Sequence, residues 1–122
     1  MKIILDANFI IAVLDSTDSC HERALAISGA LEQGGYELAL NNVVFYEVLT
    51  VLCRRGVKNL AEWYYNRVIR AEDVILLYCN DTLEKRSFFY FTKMGSKNIS
   101  FADCMLFASA DAYSTKYIVS FD

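Results

Sequence analysis

Short, unbroken apolar runs alternate along this chain with segments of helical periodicity, and that alternation leaves few folds open. Strand-like stretches stand at Lys2–Leu5 (KIIL), Tyr36–Leu40 (YELAL), Val74–Cys79 (VILLYC) and Tyr117–Phe121 (YIVSF). Helical patterns lie between them near Asn8–Leu14 and Cys20–Gln33, then Val43–Arg55 and Leu60–Ala71, then Thr82–Met94 and Phe101–Tyr113. Apolar strands of this kind suit a parallel sheet covered on both faces, and the intervening helices supply the crossovers such a sheet needs. The expected fold class is α/β: a three-layer α/β/α sandwich around a mainly parallel sheet of four to five strands. Breaks fall at Gly34–Gly35, Gly56 and Gly95, where glycine can end a helix. No proline, repeat or low-complexity tract interrupts the 122 residues, so a single domain over 1–122 is expected.

Hydrophobic residues make up 55% of the chain, which excludes a disordered polymer. None of the apolar runs approaches the roughly 18 residues of a membrane span. The start, Met-Lys followed by strand-like sequence, lacks the features of a signal peptide, so a cytoplasmic protein with no membrane partner is expected. Cys20, Cys53, Cys79 and Cys104 form no CxxC pair and sit in apolar sequence, which reads as buried free thiols. The single histidine, His21, lies in the polar stretch DSTDSCHER and is a poor basis for a catalytic triad.

The acids carry the chemistry. Asp6 directly follows the first strand, and Asp122 follows the last. In a parallel sheet all strand carboxyl ends share one rim, where ligands bind, so neighbouring first and last strands would set these two side by side. Glu47 lies in VVFYEVLTVL with Val43, Val44, Thr50 and Val51 three and four residues away, a face on which a solvated glutamate is not expected. Asp103, in ISFADCMLFASA, is flanked by Ile99, Ser100, Leu106 and Phe107 on a helix that feeds the last strand. Each acid also has a plain structural reading. Asp6 can cap the helix that follows it, and Ser100-x-x-Asp103 is a capping-box pattern.

Convergence of four acids from four segments is the stronger signal, because carboxylates crowded into one half-buried site repel each other unless a cation neutralises them. Oxygen donors without a histidine or cysteine cluster select Mg2+ or Mn2+ over zinc. Such an ion activates water for attack on a phosphate. Setting the four acids aside turns the formal charge from −3 into +1, leaving Arg54, Arg55, Lys58, Lys93 and Lys97 as candidates for phosphate contact.

Taken together, LDANFIIA, FYEVLTVL, SFADCMLFASA and IVSFD resemble the PIN-domain ribonucleases, including the toxins of VapBC-type toxin–antitoxin pairs. The resemblance implies an acidic quartet of Asp6, Glu47, Asp103 and Asp122 holding Mg2+ or Mn2+, with Asn8, Ser100 and Ser120 supporting it. It implies an RNA substrate, frequent homodimers, and an antitoxin partner seated in a groove beside the site. The helix over Leu60–Ala71, with its surplus aromatics Trp63, Tyr64 and Tyr65, is a candidate for part of that groove. The run Phe88-Phe89-Tyr90-Phe91 is wider than one helix face and reads as deep burial or a surface for another chain. Other classes fit less well. A phosphotransfer receiver would pair acids after the first strand, a dehalogenase-type phosphatase would carry an acid where Asn8 stands, and neither a P-loop nor a GxGxxG is present. The rival outside enzymes is a PIN-like scaffold that binds RNA or protein without cutting.

Overall fold

The computed structural model describes residues 1–95 and 97–121. Its elements run β1 (Lys2–Leu5), α1 (Ala7–Leu14), α2 (His21–Gln33), β2 (Glu37–Asn41), α3 (Asn42–Arg54), α4 (Lys58–Ile69), β3 (Val74–Leu77), α5 (Asp81–Lys93), α6 (Phe101–Ala112) and β4 (Ile118–Val119). The four strands form one parallel sheet in the order β3-β2-β1-β4. The α/β/α class expected from the alternation is what the chain adopts.

This order has a consequence for position. The chain moves β1 to β2 to β3 in one direction, then jumps to the opposite edge to add β4 beside β1. Right-handed crossovers put helices on one face for the first direction and on the other face after the reversal. Accordingly α1 packs on α2 and α3, and α3 on α4, while α5 packs on α6, which lies against β1 and β2. The reversal falls between β1 and β4, the point in an open α/β sheet where ligands bind.

The core is built by both layers. Ile3, Ile4, Leu5, Ala39 and Leu40 of the sheet meet Phe9, Ile10 and Ile11 of α1, Val44, Phe45, Val48 and Leu52 of α3, and Leu106 and Ala110 of α6. Helix starts follow side-chain caps. Asn41 accepts from the Val44 amide, Asn80 from Leu83, and Ser100 forms with Asp103 the capping box that the sequence suggests. On α5 the sequence offers Asp81 and Glu84 as a box, but Asn80, one residue earlier, takes the capping position and leaves both acids in the first turn. Gly35 and Gly56 have positive φ, as the helix breaks require.

Two pairs of helices are pinned at their ends. Arg55, at the end of α3, bonds Asp15 at 2.8 Å and Asp18 at 2.9 Å in the α1–α2 connection, so it is not an open cation for phosphate. The Arg55 hydrogen bond, followed by those from Thr17, lowers the buried Asp15 carboxyl from its ordinary 3.8 to about 2. On the other face, Arg86 and the Tyr90 hydroxyl both bond Asp111, and Tyr90 packs on Phe107 and Phe91 on Phe101. These contacts make α5 and α6 antiparallel. Since α6 descends to the amino end of β4, α5 must climb from the carboxyl end of β3 past the rim, and the α5/α6 hairpin projects beyond the sheet there. Phe88, Phe89 and Phe91 are exposed on that hairpin, which decides against deep burial of the run. Burial of the thiols is also uneven: Cys104 is buried, Cys20 and Cys79 half-buried, and Cys53 exposed because it falls on the outer side of α3's last turn.

Candidate functional site

The β1/β4 register pairs Leu5 with Val119, and the Asp6 amide continues the ladder to the Val119 carbonyl at 3.0 Å. The next residues, Asp6 and Ser120, therefore emerge together at the switch point. A connected set of hydrogen bonds closes over them. Ser120 Oγ donates to Asp6 Oδ2 at 2.8 Å, Asn8 Nδ2 donates to Ser120 Oγ at 3.1 Å, and the Phe121 amide donates to Asn8 Oδ1 at 3.0 Å. Asp6 Oδ1 meanwhile accepts from the Ala7 amide at 2.7 Å as the N-cap of α1. Asp6 thus caps α1 with one carboxylate oxygen while the other is fixed by Ser120, more than a hundred positions away. Each oxygen keeps a lone-pair direction beyond the bond it accepts.

Asp103 is held from a different direction. Its Oδ2 accepts from the Ser100 amide at 2.9 Å while the Ser100 hydroxyl accepts from the Asp103 amide at 3.1 Å. Among the described residues Asp103 Oδ1 accepts no hydrogen bond and is open to a ligand. Its height above the sheet follows from a link the sequence reading did not single out. Asn41, fully buried at the end of β2, donates from Nδ2 to Ser109 Oγ at 2.9 Å, and Ser109 in turn bonds the Met105 carbonyl. Ser109 is thus the point where α6 crosses the rim. Asp103, six residues earlier, stands about 9 Å further out along the helix axis. The signal for this link was present as an asparagine between an apolar strand and a helix, which reads as a cap. Its second bond, to α6, has no local signature.

Glu47 differs from expectation. It is exposed, and among the described residues it makes no hydrogen bond or ion pair. The buried face of α3 is set by Val44, Phe45, Val48 and Leu52, and Glu47 lies off that face with Val43, Thr50 and Val51. Asp122 lies outside the described residues. Among those described, no group of three or more His, Cys, Asp or Glu is placed to hold a metal ion. The donor set at the rim is nonetheless all oxygen, with His21 turned to the Ala12 carbonyl at 2.7 Å. Asp6 and Asp103 each present a fixed carboxylate with an open lone pair, the kind of hard oxygen donor that a divalent cation takes.

A family model described as the PIN domain matches residues 3–122. The chain belongs to the PIN domain family. Among solved structures this PIN domain is similar to VapC20 of Mycobacterium tuberculosis, a toxin that cleaves the sarcin–ricin loop, with a TM-score of 0.82 and 22% identity over 98% of this chain and 89% of that one. It is also similar to a chain of VapBC2 from Rickettsia felis, bound there to a DNA fragment from the promoter, with a TM-score of 0.70 and 14% identity over 100% and 88% of the two chains. A third likeness is to a toxin–antitoxin complex from Klebsiella pneumoniae, at TM-score 0.69 and 14% identity over 98% and 86%. At these identities the likeness is one of fold. A comparison with curated proteins gives no significant match. Membership in the PIN domain family supports nuclease chemistry.

Proposed function

We propose that the protein is an endoribonuclease that hydrolyses RNA phosphodiester bonds with a Mg2+ or Mn2+ ion held by Asp6, Glu47, Asp103 and Asp122, and that it acts in the cytoplasm as the toxin of a toxin–antitoxin pair. The observation that carries this reading is the anchored carboxylate at the switch point: Asp6, fixed by Ser120 and through it by Asn8. A carboxylate needed only as a helix cap would not call for a second set of bonds from the far end of the chain.

A bound divalent ion supplies Lewis acidity and a water of lowered pKa. The chain's own residues do the rest. Asp6 and Asp103 present anionic oxygens to the ion; Ser120 and Asn8 fix the direction of the Asp6 carboxylate; the Ser100 cap fixes that of Asp103. Glu47, unpaired on α3, and Asp122, two residues beyond Ser120, complete the donor set.

The partners follow from two apolar surfaces. A groove of ≈ 570 Å³ runs between α1, α2 and α4 and includes Phe9, Leu31, Trp63, Tyr64 and Val68. Trp63 is exposed, and the Tyr64 hydroxyl is buried there without a bond among the described residues. An antitoxin segment with an apolar face fits it. The exposed Phe88, Phe89 and Phe91 on the projecting hairpin are the surface for a homodimer.

A second reading, a PIN-like scaffold that binds RNA or protein without cutting, is favoured by the exposed Glu47 and by the lack of a three-carboxylate group among the described residues. One experiment separates the two. End-labelled RNA is incubated with the protein in Mg2+ or Mn2+, with EDTA, and with Asp6→Asn. The nuclease reading expects cleavage that EDTA abolishes and that Asp6→Asn lowers by at least about a hundredfold, the scale of losing one electrostatic contact to the reacting centre. No cleavage over a broad RNA panel supports the scaffold, and equal cleavage by wild type and Asp6→Asn removes Asp6 from the reaction.

A further inference from the structure

We infer that Arg23 is a substrate-positioning residue that takes a phosphate of single-stranded RNA at the edge of the β1/β4 site. The inference rests on the nuclease reading, since it supplies that site with the cation its polyanionic substrate needs. Arg23 stands in the first turns of α2, far in sequence from every acid of the quartet. Its guanidinium lies 5.2 Å from the centre of the Phe121 ring. Phe121 is itself anchored: its amide bonds Asn8 Oδ1, and its ring packs on Phe9 at 6.1 Å. The arginine is thus held over the ring of the residue that closes the Asp6–Ser120–Asn8 network. Stacking on an aromatic face leaves the guanidinium edge, with its hydrogen-bond donors, free to meet a phosphate.

The other cations sharpen the assignment. Arg55 is taken by Asp15 and Asp18, Arg67 by Asp73, and Arg86 by Asp111. Lys2 sits over Tyr113, and Lys93 over Phe89 on the projecting hairpin. Arg23 alone, among the described residues, is a cation that a contact holds at the β1/β4 end, and no carboxylate pairs with it. An acidic site on a chain of net charge −3 repels RNA, so a cation fixed at its border has a task that a solvated surface arginine does not.

The test measures binding apart from turnover. On an Asp6→Asn background in EDTA, the affinity for a fluorescein-labelled single-stranded RNA of mixed sequence is followed by anisotropy against salt, with and without Arg23→Gln. One phosphate contact to a single strand contributes a slope of about 0.7 in log K against log salt, which at 0.1 M amounts to about fivefold in affinity. Arg23→Gln is expected to lose both, Arg23→Lys to keep the slope, and Arg70→Gln, at the far end of α4, to leave both unchanged. An unchanged slope in Arg23→Gln, an equal loss in Arg70→Gln, or no measurable binding by the parent overturns the inference. Should cleavage fail while Arg23→Gln still shifts the slope, the nuclease reading falls and the RNA contact stands.

Discussion

Replacing Tyr64 by phenylalanine removes one oxygen from a place where it has no partner. The Tyr64 hydroxyl is buried and unbonded among the described residues, and burial pushes its pKa well above the usual tyrosine range. A hydroxyl desolvated without a bond costs about 1–3 kcal/mol. The ring keeps its contact with Phe45, 5.4 Å between centres, when the oxygen goes, so no packing is lost. Taking the low end, Tyr64→Phe is expected to stabilise the free protein by about 1 kcal/mol. Unfolding entropy of about 2.1 cal/mol/K per residue gives about 0.26 kcal/mol/K for 122 residues, so Tm should rise by about 4 °C. Differential scanning calorimetry at neutral pH reads this directly. A variant whose Tm is unchanged or lower would refute the reasoning, since the hydroxyl would then have a partner in the free protein.

The Asp15–Arg55 pair sets an acid limit on stability. Asp15 has a lowered folded-state pKa of about 2 against an ordinary 3.8, so its contribution is complete above about pH 4 and is lost as pH falls through 2. Because Arg55 is itself 39% exposed, that contribution is about 1–2 kcal/mol rather than the full value of the shift. Arg55→Ala should lower stability by this amount at pH 7 in chemical denaturation, with the gap from wild type narrowing between pH 4 and pH 2; a gap independent of pH would show the pair to be inert. Ser100→Ala and Asn80→Ala each remove one helix cap and should cost about 1 kcal/mol. Only Ser100→Ala should also lower cleavage, through Asp103, and equal activity in the two variants would sever Ser100 from the site.

Much of this arrangement was legible in the sequence because it rests on period and adjacency. KIIL running into Asp6 places the end of β1 without any tertiary knowledge, and the apolar strands imply the parallel sheet that sets β4 beside it, although β4 is Ile118–Val119 where YIVSF reads as a strand through Phe121. Ser100-x-x-Asp103 was legible because a capping box is local. Three features were not. Asn80 took the cap from Asp81 because both are competent caps one residue apart, and the turn leaving β3 decides between them. Arg55 was readable as a helix-end cation, but its two carboxylate partners lie in a connection that only folding brings near. The third, Asn41, looks like a cap and nothing more, until Ser109 arrives from the other face.

Glu47 shows where period alone gives out. On a helical wheel at 100° per residue, Val44, Phe45, Val48 and Leu52 span less than a third of the circle, and Glu47 lies roughly 115° from the middle of that arc. Val43, Thr50 and Val51 share its side, so apolar neighbours at helical spacing were real but belonged to the flank. What chose the buried arc was the pair of surfaces meeting α3, α1 on one side and α4 on the other, which no window of α3's own sequence contains. The same exposure gives Glu47 its place in the proposal. An acid in the core of α3 would be committed to a partner, whereas one on the flank is open to an ion that the rim residues alone would hold weakly. Glu47→Gln should therefore leave the unfolding free energy within about 0.5 kcal/mol of wild type, as a surface change does, while weakening Mn2+ binding by calorimetry. A loss of stability with unchanged metal binding would return Glu47 to a structural role.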